Sequence, residues 1–139
     1  MKPPCVVVVR YILPAISAQI AKELTERHGL KRSEVAKKMG VTPAAVTQYL
    51  GSVRGGIAID LVEGSEEAAQ MISKTADGLA RNELSICDVL DNICMACRAM
   101  RSSGLICQMH KEVLSSLKGR KACGRPPQLC RLLRGTPKA

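Results

Sequence analysis

Apolar residues recur at helical spacing over most of this chain. Ile16, Ile20 and Leu24 stand four apart, with Lys22, Glu23, Glu26 and Arg27 on the other side, so a helix is predicted from just after Pro14 to His28, ended by Gly29. His28 then reads as a cation at the helix C-terminus. The run VVVVRYI at 6–12 is ambiguous: its β-branched residues suit a short strand, yet it can equally lead into that helix. Val35, Ala36 and Met39 form a second, shorter apolar face, and Val46, Tyr49 and Leu50 a third. Residues 55–64 alternate apolar positions at Ile57, Ile59 and Leu61 and read as a linker or a short extended piece. Ser65, followed by two glutamates, caps a long helix to about Arg81, and Ser85 with Asp88 opens another toward Arg101. Those two are expected to form an antiparallel hairpin, and no internal repeat is evident.

The segment RSEVAKKMGVTPAAVTQYL, 32–50, carries the most specific turn chemistry. Ala36 is small where two helices would cross. Gly40 sits just past the apolar face, where the chain must turn left-handed and glycine does so without a Cβ clash. Thr42 can cap the next helix, and Pro43 fits its first position, where a missing N–H costs nothing. Together these predict a helix, a tight turn and a second helix sharing one core, a helix-turn-helix. A plain helical hairpin has the same spacing.

These residues resemble the phage-repressor-like (Cro/cI, or XRE) helix-turn-helix family, over about residues 12–55. The resemblance implies a transcriptional regulator that lays its second motif helix in the major groove of double-stranded DNA. Carried over, Ala44, Ala45, Thr47 and Gln48 face outward, while Val46, Tyr49 and Leu50 face the core. Gln48 can pair its amide with adenine, Ala44 or Ala45 can pack on a thymine methyl, and Thr42 and Thr47 hold phosphate. Family members commonly open the first motif helix with a Ser or Thr cap followed by Gln. This chain has Lys31 and Arg32, which implies a charged phosphate contact from Arg32. The loop GSVRGG, 51–56, follows the reading helix and offers Arg54 as a phosphate clamp.

Charge sharpens this picture. The net +9 of the 139 residues is uneven: nine Lys or Arg against three Asp or Glu over 1–59, two against eight over 60–97, and ten against one over 98–139. Two basic blocks flank an acidic one, the layout expected if the ends approach phosphate and the middle faces away or meets a partner. The chain has no Phe or Trp and only two Tyr, which argues against modules that stack single-stranded bases on aromatic rings. The apolar run at 6–13 is interrupted by Arg10 and closed by Pro14, and no small-residue cleavage pattern follows it. Neither a membrane span nor a signal peptide is therefore expected, and the location expected is cytoplasmic.

A second chemical signal is the spacing C-x2-C-x9-C-x2-H of Cys94, Cys97, Cys107 and His110, with the turn residue Gly104 between the pairs. Thiolates and an imidazole so spaced can converge on one metal, zinc or an iron-sulfur cluster, although Cys is also a small hydrophobe that suits an apolar helix face. Arg98 occupies the place where zinc knuckles usually have Gly. A fourth thiolate for a cluster would come from Cys87 or from Cys5, Cys123 or Cys130. The layout is similar to archaeal regulators that join such a helix-turn-helix to a cysteine-rich unit, which implies sensing of redox state or metal supply. The expected fold class is all-α: a helix-turn-helix domain over 1–56, a helical dimerisation and cysteine-rich metal-binding region over 57–117, and a basic tail over 118–139. In that tail Gly124, Arg125 and Pro126 weakly match a minor-groove-binding core. No carboxylate pair, Ser/His/Asp set or phosphate-cradling glycine loop appears, so a non-enzymatic, homodimeric DNA-binding regulator is expected. The alternative is a metal-binding adaptor whose DNA affinity is incidental.

Overall fold

The run at 6–12 that patterning leaves between strand and helix is helical, and Pro14 shapes it. In the computed structural model, which describes residues 4–52 and 56–113, α1 (Pro4–Val7) passes through a π-helical turn (Val8–Ile12) into α2 (Leu13–Glu26). Pro14 has no N–H to donate, and in a regular α-helix its ring would crowd the carbonyl four residues back. The turn before it is widened, so that the Leu13 N–H donates to the carbonyl of Val8, five residues back. The helix thus carries the proline without ending. Beyond it lie α3 (Arg32–Met39), α4 (Pro43–Ser52), α5 (Ile57–Gly64), α6 (Glu66–Ala80), α7 (Ile86–Ser102) and α8 (Leu105–Val113). The described residues are all-helical, with no strand among them.

This continuity corrects one expectation. Cys5–Glu26 is a single helical run of 22 residues with an 18-residue window of mean hydropathy 1.5, long and apolar enough by length and composition to cross a membrane. Arg10 and Pro14 do not interrupt it: the proline is absorbed by the π turn, and the Arg10 guanidinium lies over the Tyr11 ring, 5.7 Å from its centroid. Half of that window is buried inside the protein. Its stripe of Ile12, Ile16, Ile20 and Leu24 is no more than 1% exposed. α2 packs against α4, α5 and α6 and touches α3 and α7, so it is shared by helices on both sides of residue 56.

The second correction is α5. The alternation of Ile57, Ile59 and Leu61 suggests an extended piece, but Ile59 and Val62 also stand one helical turn apart, and both are buried where α5 meets α2 and α6. Ile57 remains half exposed. Burial of a three-residue-spaced pair outweighs a weak local alternation here.

The caps follow the sequence closely. Ser65 Oγ accepts from the Ala68 N–H at 3.3 Å, and Glu66 and Glu67 lie in the first turn of α6, where negative charge suits the helix dipole. At α7, Ser85 Oγ accepts from the Asp88 N–H at 3.2 Å, while the Asp88 carboxylate accepts from the Ser85 N–H at 2.8 Å and from its hydroxyl at 2.6 Å, a closed capping box. α6 and α7 pack along one another across the short connection 81–85. Gly78 is what allows the chain to return: a Cβ there would lie 2.5 Å from Cγ of Leu84, which folds back over it. The His28 ring faces Asp77 of α6, with Nε2 2.8 Å from Oδ1. Arg27 joins Asp77 at 3.3 Å and Glu23 at 2.6 Å. His28 therefore ties the end of α2 to α6 as well as ending a helix.

Two outcomes are expected. Gly78→Val should cost about 1–3 kcal/mol in urea unfolding by overpacking against Leu84, and Leu84→Ala in the same chain should recover part of that loss, because it vacates the space. The hydrogen bond from the Ser85 hydroxyl, then that from its N–H, hold the Asp88 carboxyl below the usual aspartate range. A pKa depressed in the folded state means that the cap stabilises fully above the unfolded value and loses this contribution as pH falls through the folded one. An NMR titration of Asp88 should show a midpoint below an ordinary aspartate, rising only part of the way to the ordinary value in Ser85→Ala, which removes the hydroxyl and keeps the backbone N–H donor.

Candidate nucleic-acid interface

The geometry from 31 to 52 is built by its termini. Lys31 is extended (φ −72°, ψ 153°) and starts α3, and its N–H donates to the Glu34 carboxylate at 2.8 Å. This is half of a capping box, since an ammonium has no lone pair with which to return the bond. At the other end Gly40 adopts φ 67°, and the N–H of Val41 donates to the Ala36 carbonyl at 3.0 Å, closing the helix through a left-handed residue. Thr42 Oγ1 then accepts from the Ala45 N–H at 3.2 Å, and Pro43 opens α4. Between the two helices Val35 and Val46 are fully buried and Ala36 is 2% exposed, while Met39, Val41, Tyr49 and Leu50 pack around them on the core.

With Val46 beneath, the opposite side of α4 faces outward. Ala44, Thr47 and Gln48 are exposed, Ala45 is half-buried, and Thr42 is exposed at the start of the helix. Arg32 is exposed at the first position of α3, and its Nη1 reaches Thr47 Oγ1 at 3.5 Å. Thr47 in turn donates to the Pro43 carbonyl at 3.1 Å. Six of the seven residues expected from the sequence to meet DNA thus lie on or beside one surface. Arg54 lies outside the described residues. Fifteen positions separate Arg32 from Thr47, so only the packing of α3 against α4 makes them neighbours.

No family model matches this chain, and neither does any curated protein or solved structure.

Around this surface the charge is positive. Between 29 and 56 the only acidic residue is Glu34, against Lys31, Arg32, Lys37, Lys38 and Arg54. Lys31 and Lys37 are exposed, and the sequence reading did not single them out although the basic run at 31–38 marks them. Lys38 is committed inward: its Nζ donates to the Leu79 carbonyl at 3.0 Å and to Asn82 Oδ1 at 2.6 Å, satisfying the end of α6 where a cation also suits the dipole.

The cysteines are arranged differently from the surface above. Cys87 and Cys94 are exposed on α7, Cys97 on the same helix is half-buried against the core, Cys107 is half-buried on α8, and His110 is buried there at 8% exposure. Gly104, at φ 82°, turns the chain between the two helices. Among the described residues, no three His, Cys, Asp or Glu side chains gather into a set able to hold a metal, and no disulfide joins the described cysteines, Cys5 included. Cys123, Cys130 and the basic tail over 118–139 lie outside the described residues.

Thr42→Ala is expected to lower stability by about 0.5–2 kcal/mol through loss of the α4 cap. Amide exchange at Ala45 should quicken most, and Thr42→Ser should keep both close to the parent protein.

Proposed function

We propose that this chain is a sequence-specific DNA-binding regulator that reads duplex DNA through α4 and acts as a homodimer. The observation that carries the reading is the division of α4 into a buried side at Val46 and an exposed side at Ala44, Thr47 and Gln48, directly after a left-handed Gly40 and a capping Thr42. This is the placement that the phage-repressor-like resemblance asks of a reading helix.

In this reading Arg32 and the exposed Lys31 and Lys37 neutralise phosphate and fix the register, which gives affinity that falls with salt. Gln48 supplies sequence preference through a two-point amide contact with adenine, and Ala44 adds apolar contact with a thymine methyl. Arg32 rests against Thr47, so its guanidinium is held beside the outward side of α4 and approaches phosphate at the edge of the groove being read. Within 31–52 Glu34 is the only acidic residue, against Lys31, Arg32, Lys37 and Lys38, so the segment that builds α3 and α4 offers phosphate more positive than negative charge. A role for zinc or an iron-sulfur cluster in sensing has the C-x2-C-x9-C-x2-H spacing behind it. It contributes no step to this mechanism, because the described residues do not form a ligand set.

Selection of bound duplexes from a random library, followed by salt titrations of binding, tests the proposal. Gln48→Ala should lose about 1–3 kcal/mol of discrimination, roughly 5- to 150-fold in preference for the selected site, while keeping its salt-dependent nonspecific binding. Arg32→Ala should weaken all duplexes alike and reduce the salt slope by about one. No duplex binding at low salt, or an unchanged preference in Gln48→Ala, would refute it, and the latter is what an adaptor with incidental DNA affinity would give.

A further inference from the structure

Thr42 and Thr47, both exposed beside the outward side of α4, use their hydroxyls in opposite ways. A threonine hydroxyl has a single proton to give and lone pairs with which to accept. Thr42 Oγ1 accepts from the Ala45 N–H at 3.2 Å, so it uses a lone pair, and no acceptor among the described residues takes its proton. Thr47 is the reverse. Its proton goes to the Pro43 carbonyl at 3.1 Å, one turn back on the same helix, and what remains on its oxygen is lone pairs. A phosphate oxygen is itself an acceptor. It can therefore meet the hydroxyl of Thr42, but not that of Thr47 unless the bond to Pro43 is given up.

What Thr47 does hold is Arg32. The guanidinium Nη1 donates to Thr47 Oγ1 at 3.5 Å, and no carboxylate among the described residues pairs with this arginine. Glu34, two positions on, has its carboxylate on the Lys31 N–H at 2.8 Å. An exposed arginine at the start of a helix otherwise samples many rotamers, and ordering it on phosphate costs conformational entropy at the moment of binding. Against Thr47 the guanidinium is set beside the outward side of α4 before DNA arrives. One N–H of its planar fork is used, which leaves the others for a two-point contact with phosphate.

We propose that Thr47 is a positioning residue: it takes no phosphate itself and holds the Arg32 guanidinium ready for one, while Thr42 keeps the proton with which to donate to phosphate directly. The resemblance to helix-turn-helix regulators gives both threonines the same task, and the direction of their hydrogen bonds separates them. This rests on the DNA-binding reading and deepens it, since it divides the groups beside α4 into one that touches phosphate and one that acts through another side chain.

Two variants of the full chain test it: Thr47→Val, which keeps the branched shape and removes the hydroxyl, and Thr47→Ser, which keeps the hydroxyl. In the free protein, nitrogen relaxation at Arg32 Nε should show a more mobile side chain in Thr47→Val and the parent's mobility in Thr47→Ser. On duplex DNA, Thr47→Val should weaken binding to all sequences alike by about three- to ten-fold, and Thr47→Ser should bind as the parent does. The salt slope should stay the same in both, because Arg32 keeps its charge. In an Arg32→Ala background Thr47→Val should cost less than about two-fold, since no guanidinium is left to place. Thr47 is exposed, so far-UV circular dichroism should show unchanged helix in every variant. The positioning role is overturned if Arg32 in the free protein is as ordered with Val at 47 as with Thr. It is equally overturned if the Thr47→Val loss on DNA persists in full in the Arg32→Ala background, as it would for a threonine that binds phosphate itself. Neither outcome touches the regulator reading. Absence of duplex binding by the parent overturns that reading, and the phosphate roles of Arg32 and Thr42 with it, whereas the mobility of Arg32 in Thr47→Val still decides whether Thr47 holds it.

Discussion

Burial of one face of α2 is the constraint on which the other elements depend. Ile12, Ile16, Ile20 and Leu24 are sealed from solvent, and the helices that seal them include α4 from the helix-turn-helix and α5 and α6 beyond it. Each large aliphatic side chain taken out of water contributes about 1.5–3 kcal/mol before conformational entropy is counted. With no Phe or Trp in the chain, this aliphatic packing carries what aromatic residues usually share. The widened turn before Pro14 serves the same end, because it lets the stripe continue through a residue that would otherwise break the helix.

On that base, the α3–α4 pair is set by short-range chemistry. Gly40 fixes where α3 stops, Thr42 fixes where α4 starts, and Val46 fixes which side of α4 goes down. Once those three are satisfied, the outward direction of Thr47 and Gln48 follows from the helical period alone. The basic residues divide by task in a way that composition cannot show. Lys38 closes the end of α6, joining the helix-turn-helix to the helices behind it, while Arg32 lies along the outward side beside Thr47.

α7 repeats the theme of one helix with two apolar faces. One face joins the core through Val89, Ala96 and Met100, and the other shows Ile86, Leu90 and Cys94 to solvent. The same helix carries Cys94 and Cys97, two of the residues whose spacing suggests a metal, and Cys87, the alternative thiolate. Cys87 and Cys94 are exposed, Cys97 leans on the core, and the imidazole of His110 is enclosed on α8, so these groups belong to different environments although they are close in sequence. Spacing along a chain constrains which residues can meet. It does not choose the face of the helix on which each one sits.

The amino-acid sequence by itself determined what depends on neighbours within a turn or two: the caps at Thr42, Ser65 and Ser85, the left-handed stops at Gly29 and Gly40, the apolar period of α2, α6 and α7, and hence the all-helical character of the described residues. Those features are readable because capping, positive φ and helical period are local physics. The tertiary structure alone decided that 6–12 is helix, that 57–64 is helix despite its alternation, that Arg32 lies against Thr47, that His28 faces Asp77, and that Lys38 closes α6. Each of these turns on a partner fifteen or more residues away or on burial by another helix, and no local pattern encodes which distant surface will arrive.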